Sequence, residues 1–543
     1  MAELSPATKK LIAQYQFARK QNLPKQGVPA IHVDEFASSV AAFYEKVRMI
    51  VDWKEEHLIR RTAITRKLKR RFLNADLNNP SSSESIAEPL ILELIRGGHL
   101  SNDKVEESKI DVVKTILDKY IYIIKNRPEN NNPREKIQFY NWLIEIASCE
   151  IEENIASFRE EAALIDYMFV LMRERIVLSK RALEKWNLTD EDKNIQTYIA
   201  VQQSLFKLDN PLVSYNLLKY RYPNWAKPDA NLLSKITENI YNIWKKIDEY
   251  LAHPLGKKFY AICEKYDTPY LLLGDVLSKD DSEEISETLS NPESLEESIK
   301  KAYNNRLSTL GKRLNRAAIY STLSVLLTNA ISVLVIEIPI AKLIYGGFSS
   351  SPLLTISVDI LGPTFLMFLI VATIKKPSKK NLNLVIMETM KIAYQKEKAD
   401  TYEIRINKKK GAVAATIISF IYLLTSIASF GLIFYILEKA KFPITSVVIN
   451  IAFVAVVCFA GLAVRIKGQE LTVKEGKSSA SGFLFDILSL PIAGTGRWLS
   501  NKWKRYNAIS AFFNALIDMP FSIFVEFLEQ WRSFIKEKKE EIR

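Results

Sequence analysis

Four long apolar stretches follow one another between Ala317 and Val464, and they constrain this chain more than anything else in it. Ala317–Ala341 and Leu343–Ile374 each contain one formal charge, Glu337 and Asp359, whereas Gly411–Leu437 and Phe442–Val464 contain none. Each is longer than the ~20 apolar residues a helix needs to cross a hydrocarbon core about 30 Å thick. Core helices of soluble proteins seldom run that far without a charge, and four in succession are rarer still. The pattern predicts an all-α, polytopic membrane protein with four transmembrane helices arranged as two hairpins, 317–374 and 411–465.

The flanks predict the orientation. Lys300, Lys301, Arg306, Lys312, Arg313 and Arg316 precede the first stretch, the link 375–410 is rich in Lys and Arg, and Arg465, Lys467, Lys474 and Lys477 follow the last. The turn inside the first hairpin, within Lys342–Ser351, has Lys342 as its one charge, and the second, Glu438–Lys441, is tiny. Positive charge resists translocation and is drawn to anionic lipid, so both termini are expected on the cytoplasmic side of the cell membrane.

Glu337 and Asp359 are the candidate intramembrane polar site. A carboxylate at membrane depth costs at least ~2.5 kcal/mol, so it must pair, neutralise or face water. Glu337 precedes Pro339, and Asp359 precedes Gly362-Pro363, so the two acids can lie at similar depth on adjacent helices. A cation or proton site, helped by carbonyls that the prolines release, is one reading. The other is that both acids reach the outer interface or cap a broken helix. Asn329 and Asn450 lie deeper and suit hydrogen bonds between helices.

The remainder reads as helix under a strong positive charge. The 543 residues hold 75 Lys and Arg against 62 Asp and Glu, a net +13 that suits surfaces facing a lipid bilayer with anionic headgroups. The densest cluster, Arg60, Arg61, Arg66, Lys67, Lys69, Arg70 and Arg71, reads first as a solvated helix end, then as a headgroup contact. Nucleic acid ranks last, because few aromatics are interleaved and no binding motif accompanies it. Residues 1–279 are expected to form a cytoplasmic α-helical domain. An acidic hinge at 280–290 and a juxtamembrane helix at 291–316 follow, the helix opened by Ser290 as cap, Pro292 and Glu293.

The tail, 466–543, contains an apolar piece, Phe483–Ala493, too short to span and suited to an interfacial or re-entrant position. Arg497, Trp498, Lys502, Trp503, Lys504 and Arg505 then combine cations with Trp as the headgroup layer favours, and are the candidate lipid-surface contacts. Beyond Asp518, Phe524, Leu528, Trp531 and Ile535 line one face of an amphipathic helix, which lies on lipid or packs on the cytoplasmic domain.

Motifs that name a reaction are missing. Cys149, Cys263 and Cys458 lie far apart, the four histidines are scattered, and Gly494-Thr495-Gly496 is too short for a phosphate loop. No cofactor or metal is expected. The first functional expectation is a non-enzymatic scaffold or partner-binding protein at the cytoplasmic face, its N-terminal domain meeting a protein partner. The alternative is a homo-oligomeric ion or small-solute transporter or channel subunit with Glu337 and Asp359 near the pathway.

Overall fold

A computed structural model of the chain describes residues 3–22, 29–33, 56–74, 82–100, 102–156, 158–279, 285, 289–334, 338–345, 352–374, 377, 379–394, 400–405, 412–439, 442–473, 480–506, 527, 531, 534, 535 and 538. Those residues are predominantly helical, with two strands of three residues each. The chain divides into two compact units. The first comprises Met1–Ser290, Ala393–Ile404 and Phe512–Arg543; the second comprises Asn291–Ile392 and Arg405–Ala511.

In chain order the first unit holds α1 (Pro6–Asn22), α2 (Glu56–Asn74), α3 (Ser83–Arg96), α4 (Ser108–Asn126), α5 (Pro133–Ile155), α6 (Arg159–Arg175), β1 (Ile176–Leu178), α7 (Lys180–Trp186), α8 (Asp190–Leu205), α9 (Asn210–Arg221), α10 (Ala230–Glu238), α11 (Ile240–Leu251), α12 (Gly256–Lys265) and α13 (Asp267–Lys279). Most helix starts have a local cause. The Asn132 side chain accepts the Arg134 and Glu135 amides ahead of α5, with Pro133 in the first turn. Thr189 and Asp192 form a reciprocal capping box at α8. Asp209 and Asp229 cap α9 and α10. At the end of α3, Gly98 takes a φ of 70°, which the chain needs to turn away. The stretch Ala230–Leu251 reads as one helix, yet it breaks at Asn239 into α10 and α11. The apolar stripe Phe36, Val40, Phe43, Val47, Val51, Leu58 and Leu68 predicts a helix capped by Asp34 and ending near Phe72; its start lies outside the described residues, and α2 stops at Asn74.

A segment from far along the chain completes this unit. β2 (Tyr402–Ile404) pairs with β1 in parallel, Val177 opposite Glu403. A parallel pair of three residues is marginal by itself, so its side chains must hold it. Ile176 and Ile404 are buried, and the Tyr402 ring stacks on Tyr266 with centroids 4.3 Å apart. Just before β2, the Ala393 carbonyl accepts the Ser5 amide at 3.1 Å and the Thr8 hydroxyl at 3.1 Å, both at the start of α1. The Tyr394 hydroxyl donates to the Leu289 carbonyl at 2.8 Å.

The second unit holds α14 (Pro292–Ser332), α15 (Ile338–Tyr345), α16 (Pro352–Ala372), α17 (Lys379–Tyr394, whose last two residues belong to the first unit), α18 (Ala412–Lys439), α19 (Ile444–Lys467) and α20 (Ala480–Tyr506). α14 is one helix of 41 residues that passes unbroken through the buried Gly311, joining the juxtamembrane stretch to the apolar one. Asn291 caps it, rather than Ser290, because Pro292 occupies the first turn and the residue directly before it takes the capping role. α14 and α16 pack together, as do α16 and α19, and α19 packs on α20.

Two helices of this unit are long and apolar enough to cross a membrane, Thr416–Lys439 and Ser446–Ile466; Ile356–Ala372 is apolar but shorter. A core helix of a soluble protein would have its apolar side chains covered. α18 does not: Phe420 is 59% exposed and Ile427 61%, and exposed apolar residues stand on all its sides. Ile319, Leu323, Leu327 and Ile331 on α14 and Leu361, Phe365 and Phe368 on α16 are exposed as well.

One buried amide organises the ends of these helices. Asn381, on α17, donates to the Tyr303 hydroxyl at 3.0 Å and to the Leu471 carbonyl at 2.6 Å, and its oxygen accepts the Val473 amide at 3.0 Å. It thereby satisfies backbone groups of the turn after α19 that have no ladder or helix partner. Asn381→Ala is expected to cost roughly 2 kcal/mol, the penalty for stranding buried polar groups, seen as a lowered thermal midpoint of the full chain in detergent.

Candidate functional site

The polar groups of the second unit converge where α14, α16 and α19 meet. Asp359, on α16, is only 3% exposed. Its carboxylate accepts a hydrogen bond from the Asn450 amide nitrogen of α19, which also donates to the Ser446 carbonyl at 3.1 Å. Pro363 sits four residues after Asp359 and has no N–H, so it loosens the backbone ladder at this turn. The neighbouring Ile360 carbonyl is taken up by the Thr364 hydroxyl at 2.7 Å and by the Asn329 amide of α14 at 3.4 Å. Asn329, Ser446 and Asn450 are all buried. Beside the turn that the proline opens, side chains of α14 and α16 take up the Ile360 carbonyl, while α19 engages Asp359 through its carboxylate.

Chemically, this arrangement is a carboxylate held by an amide in a shielded place. It can hold a proton or act as a polar lock between helices. Among the described residues no group of three or more His, Cys, Asp or Glu is placed to hold a metal ion. Glu337 lies outside the described residues, so its expected partnership with Asp359 lies there too.

α20 departs from the expected short interfacial piece. It is a single helix of 27 residues, with Pro491 inside it, and it packs on α18 and α19. The Ser429 hydroxyl of α18 donates to the Leu488 carbonyl at 2.9 Å, close to the gap Pro491 leaves in the ladder. Gly496 lies against Ala455, where a β-carbon would fall on the carbonyl of that residue. Of the expected lipid contacts, Arg497 and Trp498 are exposed, Trp498 by 60%. Lys502, Trp503, Lys504 and Arg505 continue the same helix, with side chains outside the described set. Of the expected terminal amphipathic helix, Phe527, Trp531, Phe534 and Ile535 are described, and all are exposed.

The densest basic cluster is not a solvated helix end. Lys67, Arg70 and Arg71 of α2 all reach the one carboxylate of Glu93 on α3, Lys67 at 2.9 Å and Arg70 at 3.3 Å. Burial would raise the pKa of Glu93, but the three cations together hold it below its ordinary value. Lys69 pairs with Glu145 at 3.2 Å, Arg61 with Asp209, and Arg60 donates to the His99 carbonyl. The charges bind neighbouring helices to one another.

A second shielded carboxylate lies in the first unit. Glu150, on α5, is 1% exposed. Its Oε1 accepts from Lys119 Nζ at 2.5 Å, and its Oε2 from the Tyr120 hydroxyl at 2.7 Å and Trp225 Nε1 at 3.0 Å. Lys119 also donates to the Trp225 carbonyl at 2.9 Å. Burial pushes the Glu150 carboxyl up and the Lys119 amine down, each partly offset by the other. In the sequence Glu150 is one of four acids from Glu145 to Glu153, and no local signal separates it from its neighbours.

No protein-family model, no curated protein and no solved structure matches this chain.

Proposed function

We propose that the chain is an integral protein of the cell membrane, with four spans in two hairpins and both termini in the cytoplasm. We read it as a non-enzymatic scaffold whose helical N-terminal unit binds a protein partner at the inner face. The exposed apolar side chains of α14, α16 and α18 support the membrane part, since exposed apolar surface on that scale needs a lipid or protein cover. The observation that carries the scaffold part is the enclosure of Asp359. The acid is tied to Asn450 within a helix interface, and an acid so placed secures helix packing.

Alkaline carbonate washing should leave the chain in the membrane pellet. A reporter fused at Gly347 should give an external signal and one at Lys380 a cytoplasmic one. Release by carbonate, or a cytoplasmic signal from Gly347, defeats the membrane reading.

The row Asn329, Asp359, Ser446 and Asn450 favours a second reading, an oligomeric transporter or channel subunit. Reconstituted liposomes separate the two. On the scaffold reading, Glu337→Gln with Asp359→Asn leaves ion flux at the level of empty liposomes, as does the unaltered chain, while protein cross-links mapped to the N-terminal unit persist. Flux carried by the unaltered chain and abolished by the double substitution would establish transport instead.

A further inference from the structure

Residues 29–33 of the first unit form a short extended segment with one edge occupied and the other exposed. Toward residues 102–107, the Ile31 amide donates to the Val105 carbonyl at 2.9 Å. The Pro29 and Ile31 carbonyls accept the Glu107 amide at 3.1 Å and the Asp103 amide at 3.3 Å. The Asn102 side chain prolongs this ladder: its Oδ1 accepts the Val33 amide at 2.9 Å, and its Nδ2 donates to the Val33 carbonyl at 3.0 Å. The main-chain groups of Ile31 and Val33 are thus all engaged on one side. In an extended chain successive residues direct N–H and C=O to opposite edges, so those of Ala30 and His32 point the other way. Both residues are exposed, and among the described residues no hydrogen bond reaches their main-chain groups.

Such an edge offers two donors and two acceptors in the spacing of a strand. An extended backbone matches them, whereas a helix has spent its own groups internally. The side chains narrow the class of partner. Ile31 and Val33 are buried, while Ala30 and His32 share the exposed face with Glu106, which stands opposite Ala30 in an antiparallel bridge. His32 Nδ1 lies 3.0 Å from Asp103 Oδ1. On the paired segment Asp103, Glu106 and Glu107 outnumber Lys104. Ala30 is small, so a long cation on an added strand can pass over its methyl group toward Glu106.

We propose that the edge at Ala30 and His32 binds an extended segment of a partner protein by strand addition, with basic side chains on the exposed face. The proposal rests on the partner-binding reading above, and it names the surface and the kind of segment that surface takes.

The test follows the fluorescence anisotropy of a labelled hexapeptide of alternating Lys and Val on the purified full chain in a zwitterionic detergent. Two further peptides carry N-methyl groups, one on every Lys amide and the other on every Val amide. Alternate amides of an added strand face opposite edges. One methylated peptide should therefore bind at least tenfold more weakly, at roughly fivefold per hydrogen bond, and the other should keep its affinity. Loss on Lys methylation marks an antiparallel added strand, and loss on Val methylation a parallel one. A peptide of alternating Glu and Val should bind roughly fivefold more weakly than the Lys peptide. The variant Ala30→Pro, His32→Pro removes two donors that make no internal hydrogen bond, and it should weaken the Lys peptide at least tenfold. If that variant does not fold, the methylated peptides on the unaltered chain decide. No binding of the Lys peptide, or equal binding of the two methylated peptides, overturns the edge. Equal binding of the Glu peptide overturns the basic partner. A dimer of the unaltered chain that the proline variant dissociates gives the edge to a second copy and overturns the partner assignment. Cross-linking in the source membranes runs alongside. Protein cross-links to the N-terminal unit that persist in the proline variant keep the scaffold reading and remove the edge, and their absence in the unaltered chain removes both.

Discussion

Replacing Glu150 by alanine is expected to destabilise the first unit by about 3–5 kcal/mol, the cost of removing one partner from a buried ion pair. The substitution strands Lys119 Nζ, the Tyr120 hydroxyl and the Trp225 indole nitrogen in a place water does not reach. Lys119 retains the Trp225 carbonyl but loses the Glu150 carboxylate. Removing the charges together should be milder: Lys119→Met with Glu150→Leu leaves no unpaired buried ammonium, though the Tyr120 hydroxyl and the Trp225 indole nitrogen still lose their acceptor. The midpoint of guanidinium unfolding of the full chain in detergent, followed by tryptophan fluorescence, compares the two. A single substitution that costs no more than the double one would show that the network contributes packing rather than polar satisfaction.

Glu152, two residues on, should make stability depend on pH in the direction opposite to most carboxylates. It is 4% exposed. Burial raises its carboxyl from an ordinary 4.5 to about 7, the nearby Arg61 and Arg60 pulling it down and Glu161 and Asp209 adding to the rise. Between pH 4.5 and 7 the folded chain therefore keeps a proton that the unfolded chain has lost. The stabilising contribution is complete below 4.5 and is lost as pH rises through 7, a difference of about 3 kcal/mol. Glu152→Gln does not titrate, so it should be more stable than the unaltered chain at pH 8 by up to about 3 kcal/mol, the advantage shrinking toward zero at pH 4.5. Taking the difference between the two chains cancels the other acids that titrate in this range. A difference that does not vary with pH would rule out the raised carboxyl.

Local chemistry made much of the fold readable. Asn132-Pro133 starts α5, Thr189 to Asp192 starts α8, and Gly97-Gly98 ends α3, because each cap is settled within a few residues. The break at Asn239 had no such mark: no Gly or Pro stands there, and the apolar stripes on either side run on in register. Long-range pairing was the harder part. Asp359 and Asn450 could each be placed among helices, but their partnership depends on how α16 and α19 are rotated about their own axes, which periodicity does not specify. The pairing of the basic cluster is hidden for the same reason, since the acid that gathers three of its cations stands on the next helix. β2 is three residues long inside a basic link, and its partner strand lies beyond the reach of any local pattern.

The capture of Ala393–Ile404 by the first unit sets an order of events during synthesis. A ribosome that has finished Met1–Ser290 has not yet produced the residues that cover Ile176 or meet Ser5 and Thr8. On the proposed topology the first pair of spans emerges and enters the bilayer in between. The aqueous body therefore reaches its final form only after the chain is already moored, and a polypeptide truncated near the acidic stretch is a half-finished intermediate with an unzipped edge. Such a truncation should associate with itself or with chaperones, and supplying Ala393–Ile404 by tethering it to the truncated end is the direct remedy.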